Sequence, residues 1–367
     1  MPTPLHRLST LGQSVWIDSL SRSSIHDGRL AALIADDAGV VGATSNPTIF
    51  AKAIAEGDAY DEQLRELDDV DDPKEVFWAL ATRDVRDACD LFRQVWDDGS
   101  GQDGYVSLEV DPGLAYDADA TLEQVRRLHA EVDRPNLLVK IPATEPGLAA
   151  IEDAIAEGLS INVTLVFSLD RYRQVVEAYV RGLERLVAAG GDPRPVASVA
   201  SFFVSRIDSE TDRRLARVGG HDELKGRLAI ANARLAYQHY QEAFASARWL
   251  LLAEQGAAPQ RLLWASTSVK DPAYPDTRYV EQLIGPETVD TMPEETIRAY
   301  QDHGRPAARL ELDIDEARDV LAALALAGVD YDDVTATLER EGVEKFAASF
   351  DELLDGLCEK RAATAGA

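Results

Sequence analysis

The chain contains seven lysines, at 52, 74, 140, 225, 270, 345 and 360, and only Lys140 stands inside an apolar, β-type run, Leu137-Leu138-Val139-Lys140-Ile141. Lysine is almost never fully buried unless it is paired. With a pKa near about 10.4, a free amine is neutral in only about one molecule in 10³ at pH 7. Burial can lower that pKa by as much as ~3–5, which makes the amine a usable nucleophile toward a carbonyl carbon. The plain alternative is a strand-end lysine that reaches solvent. Two carboxylates share the same setting: Asp18 ends the run Val15-Trp16-Ile17-Asp18, and Glu109 lies between Leu108 and Val110. A strand-end cap would explain Asp18, and a simple ion pair with Lys140 would explain Glu109. Two carboxyls beside an amine are also what imine chemistry requires, because protons must enter and leave several times. Thr44 with Asn46, Asn162 with Thr164, Ser201 with Arg206, and Ser266 are further polar residues within or just after apolar runs. One such residue would be noise, whereas a set spread over seven runs implies a shared site.

The runs that must position them form a regular series: 15–18, 39–44, 104–110, 136–141, 161–167, 196–204, 262–266 and a weaker 288–292. Most intervals carry helical periodicity. Over 121–132, Leu122, Val125 and Leu128 share a face; over 170–188, Tyr172, Val175, Val176, Tyr179, Leu183 and Leu186 do. Strands alternating with helices imply a parallel sheet, and eight units imply closure into a (β/α)8 barrel, with an open doubly wound sheet as the alternative. In a barrel, chemistry sits at the C-terminal ends of the strands. Length divided by ~150 residues per domain suggests two domains, but α/β barrels routinely exceed that figure as one. The expectation is therefore a single α/β barrel domain over 1–367. Extra helices fall at 52–98, between runs two and three. A helical extension at 314–367 is expected on the barrel's flank, with turns near Gly328 and Gly342. The six aspartates within 58–74 read as a solvated acidic face.

Composition narrows the chemistry. The formal net charge of −28 repels phosphate backbones, so nucleic acid is not an expected partner. A phosphorylated substrate would need a local basic pocket. Cys89 and Cys358 form no CxxC or zinc-like spacing, and a disulfide framework is not expected. None of the six histidines falls in a strand-like run, and no HxH or HExxH occurs, so no metal is expected. Gly99-Ser100-Gly101-Gln102-Asp103-Gly104 matches GxGxxG but leads into a strand, the reverse of a dinucleotide fingerprint, and reads as a plain loop. No nucleotide cofactor is expected. The first sixteen residues lack a signal-type apolar segment, and no stretch reaches the ~18 apolar residues of a membrane span, so a soluble, cytoplasmic protein is expected. Asn162-Val163-Thr164 matches the glycosylation sequon by chance.

At this point the motifs resemble a known family. Gly42-Ala43-Thr44-Ser45-Asn46-Pro47 looks like the N-terminal signature of transaldolases, and Asn136-Leu137-Leu138-Val139-Lys140-Ile141-Pro142-Ala143-Thr144 resembles their Schiff-base motif. Val106–Val110, Ile161–Ser168 and Ser201–Arg206 follow in the family's order, and the length and Ala265-Ser266-Thr267-Ser268 look like the longer bacterial branch. The resemblance implies metal-free and cofactor-free transfer of a dihydroxyacetone unit from sedoheptulose 7-phosphate or fructose 6-phosphate to an aldose phosphate. It implies that Lys140 forms the imine, Asp18 takes the C4 hydroxyl proton, and Glu109 moves protons through a water held by Thr164. Asn46 and Asn162 would hold substrate hydroxyls, supported by Thr44 and Ser201. Arg206 and Ser266 would meet the phosphate. Shorter members carry an arginine two residues beyond the equivalent of Ser266; this chain has Ser268 there and Lys270 two further on, and Lys270 would replace the cation. Two other readings stay open: an aldolase using the same imine without transfer, and a non-catalytic sugar-phosphate-binding barrel.

Overall fold

The computed structural model describes residues 3–35 and 39–365. Eight parallel strands close into a barrel in sequence order: β1 Gln13–Ile17, β2 Val40–Thr44, β3 Val106–Glu109, β4 Leu137–Pro142, β5 Ile161–Val166, β6 Ser198–Phe203, β7 Arg261–Ala265 and β8 Thr288–Met292. Each expected run forms a strand within two residues of its expected ends, and the open-sheet alternative does not apply. β-strand side chains alternate between faces. In this barrel Trp16 and Asp18, Thr44, Ser107 and Glu109, Lys140, Asn162 and Thr164, and Ser201 therefore share the interior. Register sets them side by side: Glu109 faces Lys140 across β3–β4, and Lys140 faces Asn162 across β4–β5. Gly42 belongs to this interior for a steric reason. A Cβ there would sit 2.6 Å from the Trp16 ring.

The two ends of the barrel are finished differently. At the N-terminal end, Arg261 at the start of β7 donates to Ser14 Oγ (3.0 Å) and Asp103 Oδ1 (2.9 Å), and also to the Gln102 carbonyl. Ser14 Oγ donates to Asp103 Oδ2 (2.7 Å), and Trp16 Nε1 to Asp103 Oδ1 (3.1 Å). The glycine-rich segment 99–104 is thus the loop that presents Asp103 to a paired plug. At the C-terminal end, a bulge interrupts the β5–β6 register between Val163 and Val166, with Leu165 at φ 59°.

Between β2 and β3 run helices Pro47–Ala55, Asp61–Glu66 and Pro73–Asp98. The first starts where Asn46 Oδ1 accepts the Ile49 N–H (3.0 Å) and Pro47 fixes the first turn. After β8 come helices Glu294–His303, Ile314–Leu326 and Tyr331–Ala365. Gly328, at φ 82°, ends the second of these, but Gly342 makes no turn. It lies inside the continuous 331–365 helix, where a Cβ would come to 3.0 Å from Leu165 Cδ2. The glycine lets this helix approach β5 closely, and the helix crosses the C-terminal face of the barrel instead of lying only on its flank. At one end Tyr331 Oη donates to Asn232 (2.7 Å) and Glu339 pairs with Arg171 (3.2 Å). Farther along, Phe350 packs on Phe77 (5.2 Å between rings), and Lys360 Nζ donates to the carbonyls of Ile54 and Gly57 (both 2.7 Å). Among the described residues, no helix is long and apolar enough to cross a membrane.

Candidate active site

Lys140 projects from β4 into the interior near the C-terminal end and is buried. Its Nζ donates to the Ser45 carbonyl (3.1 Å) and lies 3.5 Å from Glu109 Oε2. That ion pair is long for a hydrogen bond, and among the described residues Glu109 Oε2 is left without a hydrogen-bond partner. Burial pushes the Glu109 carboxyl above its ordinary range; the charge and contact of Lys140 oppose this and do not overcome it. Asp18, just past β1, is mostly buried, and burial raises its pKa too. Thr44, Lys140, Lys270 and Arg206 pull it back down, in that order. An amine and two proton-hungry carboxylates thus meet at one end of the barrel, the arrangement that stepwise proton transfer at a carbonyl needs.

The remaining expected residues gather around these three. Thr44 Oγ1 donates to Asp18 Oδ1 (2.7 Å), so its contact with Thr291 Oγ1 (2.8 Å) has Thr291 as donor. Asn162 bridges two hydroxyls: its Nδ2 donates to Ser107 Oγ (3.0 Å), and Ser201 Oγ donates to its Oδ1 (2.7 Å). Thr164 is fully buried, and its Oγ1 has no hydrogen-bond partner among the described residues. Asn46 spends Oδ1 on its helix cap and keeps its amide nitrogen.

Three candidates for an anion sit at the mouth. Arg206 opens the helix Ser205–Val218 after β6 and lies between the rings of Phe203 (5.2 Å) and Phe346 (5.8 Å). Ser266, after β7, holds a left-handed backbone (φ 57°), and its Oγ is 3.0 Å from Ser205 Oγ. A non-glycine residue held at positive φ is a strained position of the kind that clusters at functional sites. Lys270 is exposed, and its Nζ donates to Ser268 Oγ (2.6 Å). Its charge reaches Asp18, so the loop returns it toward the site.

The structure adds residues that sequence reasoning missed. Thr291 completes the hydroxyl chain to Asp18, Ser45 supplies a carbonyl to Lys140, and Phe346 holds one face of Arg206. Asp290, facing away from the interior on β8, accepts from Thr267 Oγ1 (2.8 Å) and so anchors the loop that carries Ser266 and Ser268. Ser45 lay within the quoted motif and was the one signal available; Thr291 depends on barrel closure, Asp290 on the β7–β8 loop, and Phe346 on the path of the 331–365 helix.

A profile of the transaldolase/fructose-6-phosphate aldolase family matches residues 15–357. Curated relatives are similar along nearly their whole length. A transaldolase of Frankia alni is 52% identical, covering 98% of both chains. One of Saccharopolyspora erythraea is 54% identical, covering 97% of both. One of Thermobifida fusca is 52% identical over 99% of this chain and 100% of its own. With eight parallel strands, an interior lysine and this similarity together, the chain belongs to the transaldolase/fructose-6-phosphate aldolase family.

Proposed function

We propose that the protein is a transaldolase that moves a dihydroxyacetone unit between sugar phosphates through an imine on Lys140. The donor is sedoheptulose 7-phosphate or fructose 6-phosphate, and the acceptor is glyceraldehyde 3-phosphate or erythrose 4-phosphate. The observation that carries this reading is Lys140 itself. Among the described residues it is the only lysine on a barrel strand, and it stands beside Glu109 with Asp18 across the mouth.

In this reading the Lys140 nitrogen adds to the C2 ketone, and the carbinolamine loses water to give a protonated imine. Asp18 takes the proton from the C4 hydroxyl. The C3–C4 bonding electrons move into the imine, leaving an enamine on Lys140 and releasing the aldose phosphate. The acceptor's aldehyde then takes up the enamine carbon in the reverse sequence, Asp18 returning its proton to the new hydroxyl. Hydrolysis frees the ketose product and the amine. Glu109 carries protons in the imine steps through a water shared with Thr164, a role supported by the unpartnered Glu109 Oε2 and Thr164 Oγ1. Thr291 and Thr44 hold Asp18 in orientation. The Asn46 amide and the Ser107–Asn162–Ser201 row support substrate hydroxyls. Arg206, Ser266 and Lys270 receive phosphate, Arg206 through its planar fork. A cytoplasmic location belongs to the same proposal.

The test is borohydride reduction with fructose 6-phosphate followed by mass mapping. A three-carbon adduct on Lys140 is expected, and Lys140→Arg, whose guanidinium stays protonated, should fold and form none. An adduct on Lys225 or Lys270, or none under turnover, would remove the central claim. Exchange of the three-carbon unit between two sugar phosphates separates transfer from simple aldol cleavage.

A further inference from the structure

A second basic feature lies outside the barrel. A cleft of about 430 Å³ opens where the helices Leu228–Phe244, Arg278–Gln282 and Ile314–Leu326 meet. Arg227, Arg234 and Arg278 line it, together with Glu281, Asp313 and Glu316.

Those three cations and three carboxylates do not pair one to one. Glu316 is taken by Arg227 in a close contact. Glu281 is turned aside: its Oε1 accepts from Thr277 Oγ1 and from the Arg305 N–H (both 3.1 Å), and its Oε2 lies 4.0 Å from Arg309. Asp313 stands 3.6 Å from Arg234, outside hydrogen-bonding reach, on a side chain that is 58% exposed. Arg278 donates to the Gly226 carbonyl and stacks on Tyr274 (4.6 Å), with no ion pair of its own among the described residues.

Two guanidinium groups are left incompletely satisfied. Arg234 has a side chain only 9% exposed, donates to Gln282 Oε1 (3.1 Å), and has no partner for its buried Nε. Arg278 Nε is likewise buried and unpartnered. Burial, opposed by Asp313 and Glu316, lowers the Arg234 pKa from its ordinary value. A buried guanidinium without full pairing is costly. The cleft's formal charges balance, but these two buried donors lack acceptors, which an oxyanion in the cleft would supply.

We propose that this cleft is a second anion site, distinct from the barrel mouth, which takes a small oxyanion of the phosphate-monoester type on Arg234 and Arg278 with Arg227 at its edge. Guanidinium forks match tetrahedral oxyanions, and charge-assisted hydrogen bonds are the strong ones.

The test is calorimetric titration of the full chain with inorganic phosphate, ionic strength held constant with chloride. Arg278→Gln leaves the buried Arg234 in place and is the primary variant; Arg227→Gln, at the cleft's edge, is the second. Circular dichroism and melting check that both fold. Arg206→Ala silences the proposed phosphate position at the barrel mouth. The expected result is a phosphate-binding event that survives Arg206→Ala and weakens about 10-fold or more in Arg278→Gln, as loss of a charge-assisted hydrogen bond implies. If all binding vanishes in Arg206→Ala, or if binding in that background is the same with and without Arg278→Gln and Arg227→Gln, the cleft is not an anion site. Because Arg206 belongs to the mouth alone, failure of the cleft and failure of the proposed phosphate role of Arg206 give different patterns.

Discussion

The two ends of the barrel are built from the same materials, buried carboxylates and cations among apolar strands, and they use them in opposite ways. At the N-terminal end, Asp103, Arg261, Ser14 and Trp16 close on one another with ordinary hydrogen-bond lengths. At the C-terminal end, Lys140 and Glu109 stand at 3.5 Å, Thr164 Oγ1 has no partner among the described residues, and burial raises both Asp18 and Glu109. Pairing at one end stabilises the fold; incomplete pairing at the other leaves hydrogen-bonding capacity unspent, as the proposed proton transfers require. The contrast follows the general division of labour in this architecture, with stability at the bottom and chemistry at the top.

Mutation at each end should separate the two roles. Asp18→Ala should slow C–C cleavage by about 10²–10⁴ while imine trapping on Lys140 persists. Equal loss of trapping and turnover would make Asp18 a structural partner of Lys140. At the opposite end, Asp103→Ala strands Arg261 and should lower stability by about 3 kcal/mol in chemical denaturation, with turnover per folded molecule unchanged. A drop in turnover without a drop in stability would erase the contrast.

A smaller effect is expected at the mouth. Arg206→Ala should raise KM for fructose 6-phosphate far more than for unphosphorylated fructose. Lys270→Ala should do the same more weakly, by about 1–2 kcal/mol. An unchanged ratio of the two KM values in Lys270→Ala would reduce Lys270 to a solvated loop cation that merely contacts Ser268.

A pH-dependent effect is expected at Asp290, buried on the outer side of the barrel with its pKa pushed up to about 7 by burial, opposed only by the Thr267 hydroxyl. A raised carboxyl pKa means the folded state holds its proton more tightly than the unfolded state. The stability that this proton provides is present below the unfolded value of 3.8 and is lost as pH rises toward about 7. Asp290→Asn removes that loss. Its stability should therefore gain on the parent steadily from pH 4 to pH 7, by about 1.4 kcal/mol per pH unit at most, read from denaturant unfolding at each pH. A constant offset across that range would show that Asp290 does not titrate there.

Much of this was legible in the sequence because parallel barrel strands are buried on both faces and read as apolar runs, so a lysine or glutamate inside one stands out. Lys140, Glu109 and Asn162 were visible for that reason. Thr291 was not: β8 contains two threonines and an aspartate in five residues, a weak strand signal, and its hydroxyl meets Thr44 only because β8 closes on β1. Phe346 reaches Arg206 from far along the chain, through a helix whose path depends on Gly342. In a sequence, a glycine between polar helical stretches reads as a turn; here it serves close packing, which only the folded neighbour Leu165 reveals.

The helix 331–365 also gives the protein an order of assembly. Chains emerge from the ribosome N-terminus first, at about 5–20 residues per second. All eight strands are therefore available before the segment carrying Phe346 and Phe350 exists. A nascent barrel can close and acquire its paired lower end while the roof over its upper end is still unmade. Arg206 gains its second aromatic neighbour, and Ile54 and Gly57 their lysine contact, only when this last helix docks. The cover over Arg206 is therefore added only after all eight strands, and a chain truncated after β8 would lack it.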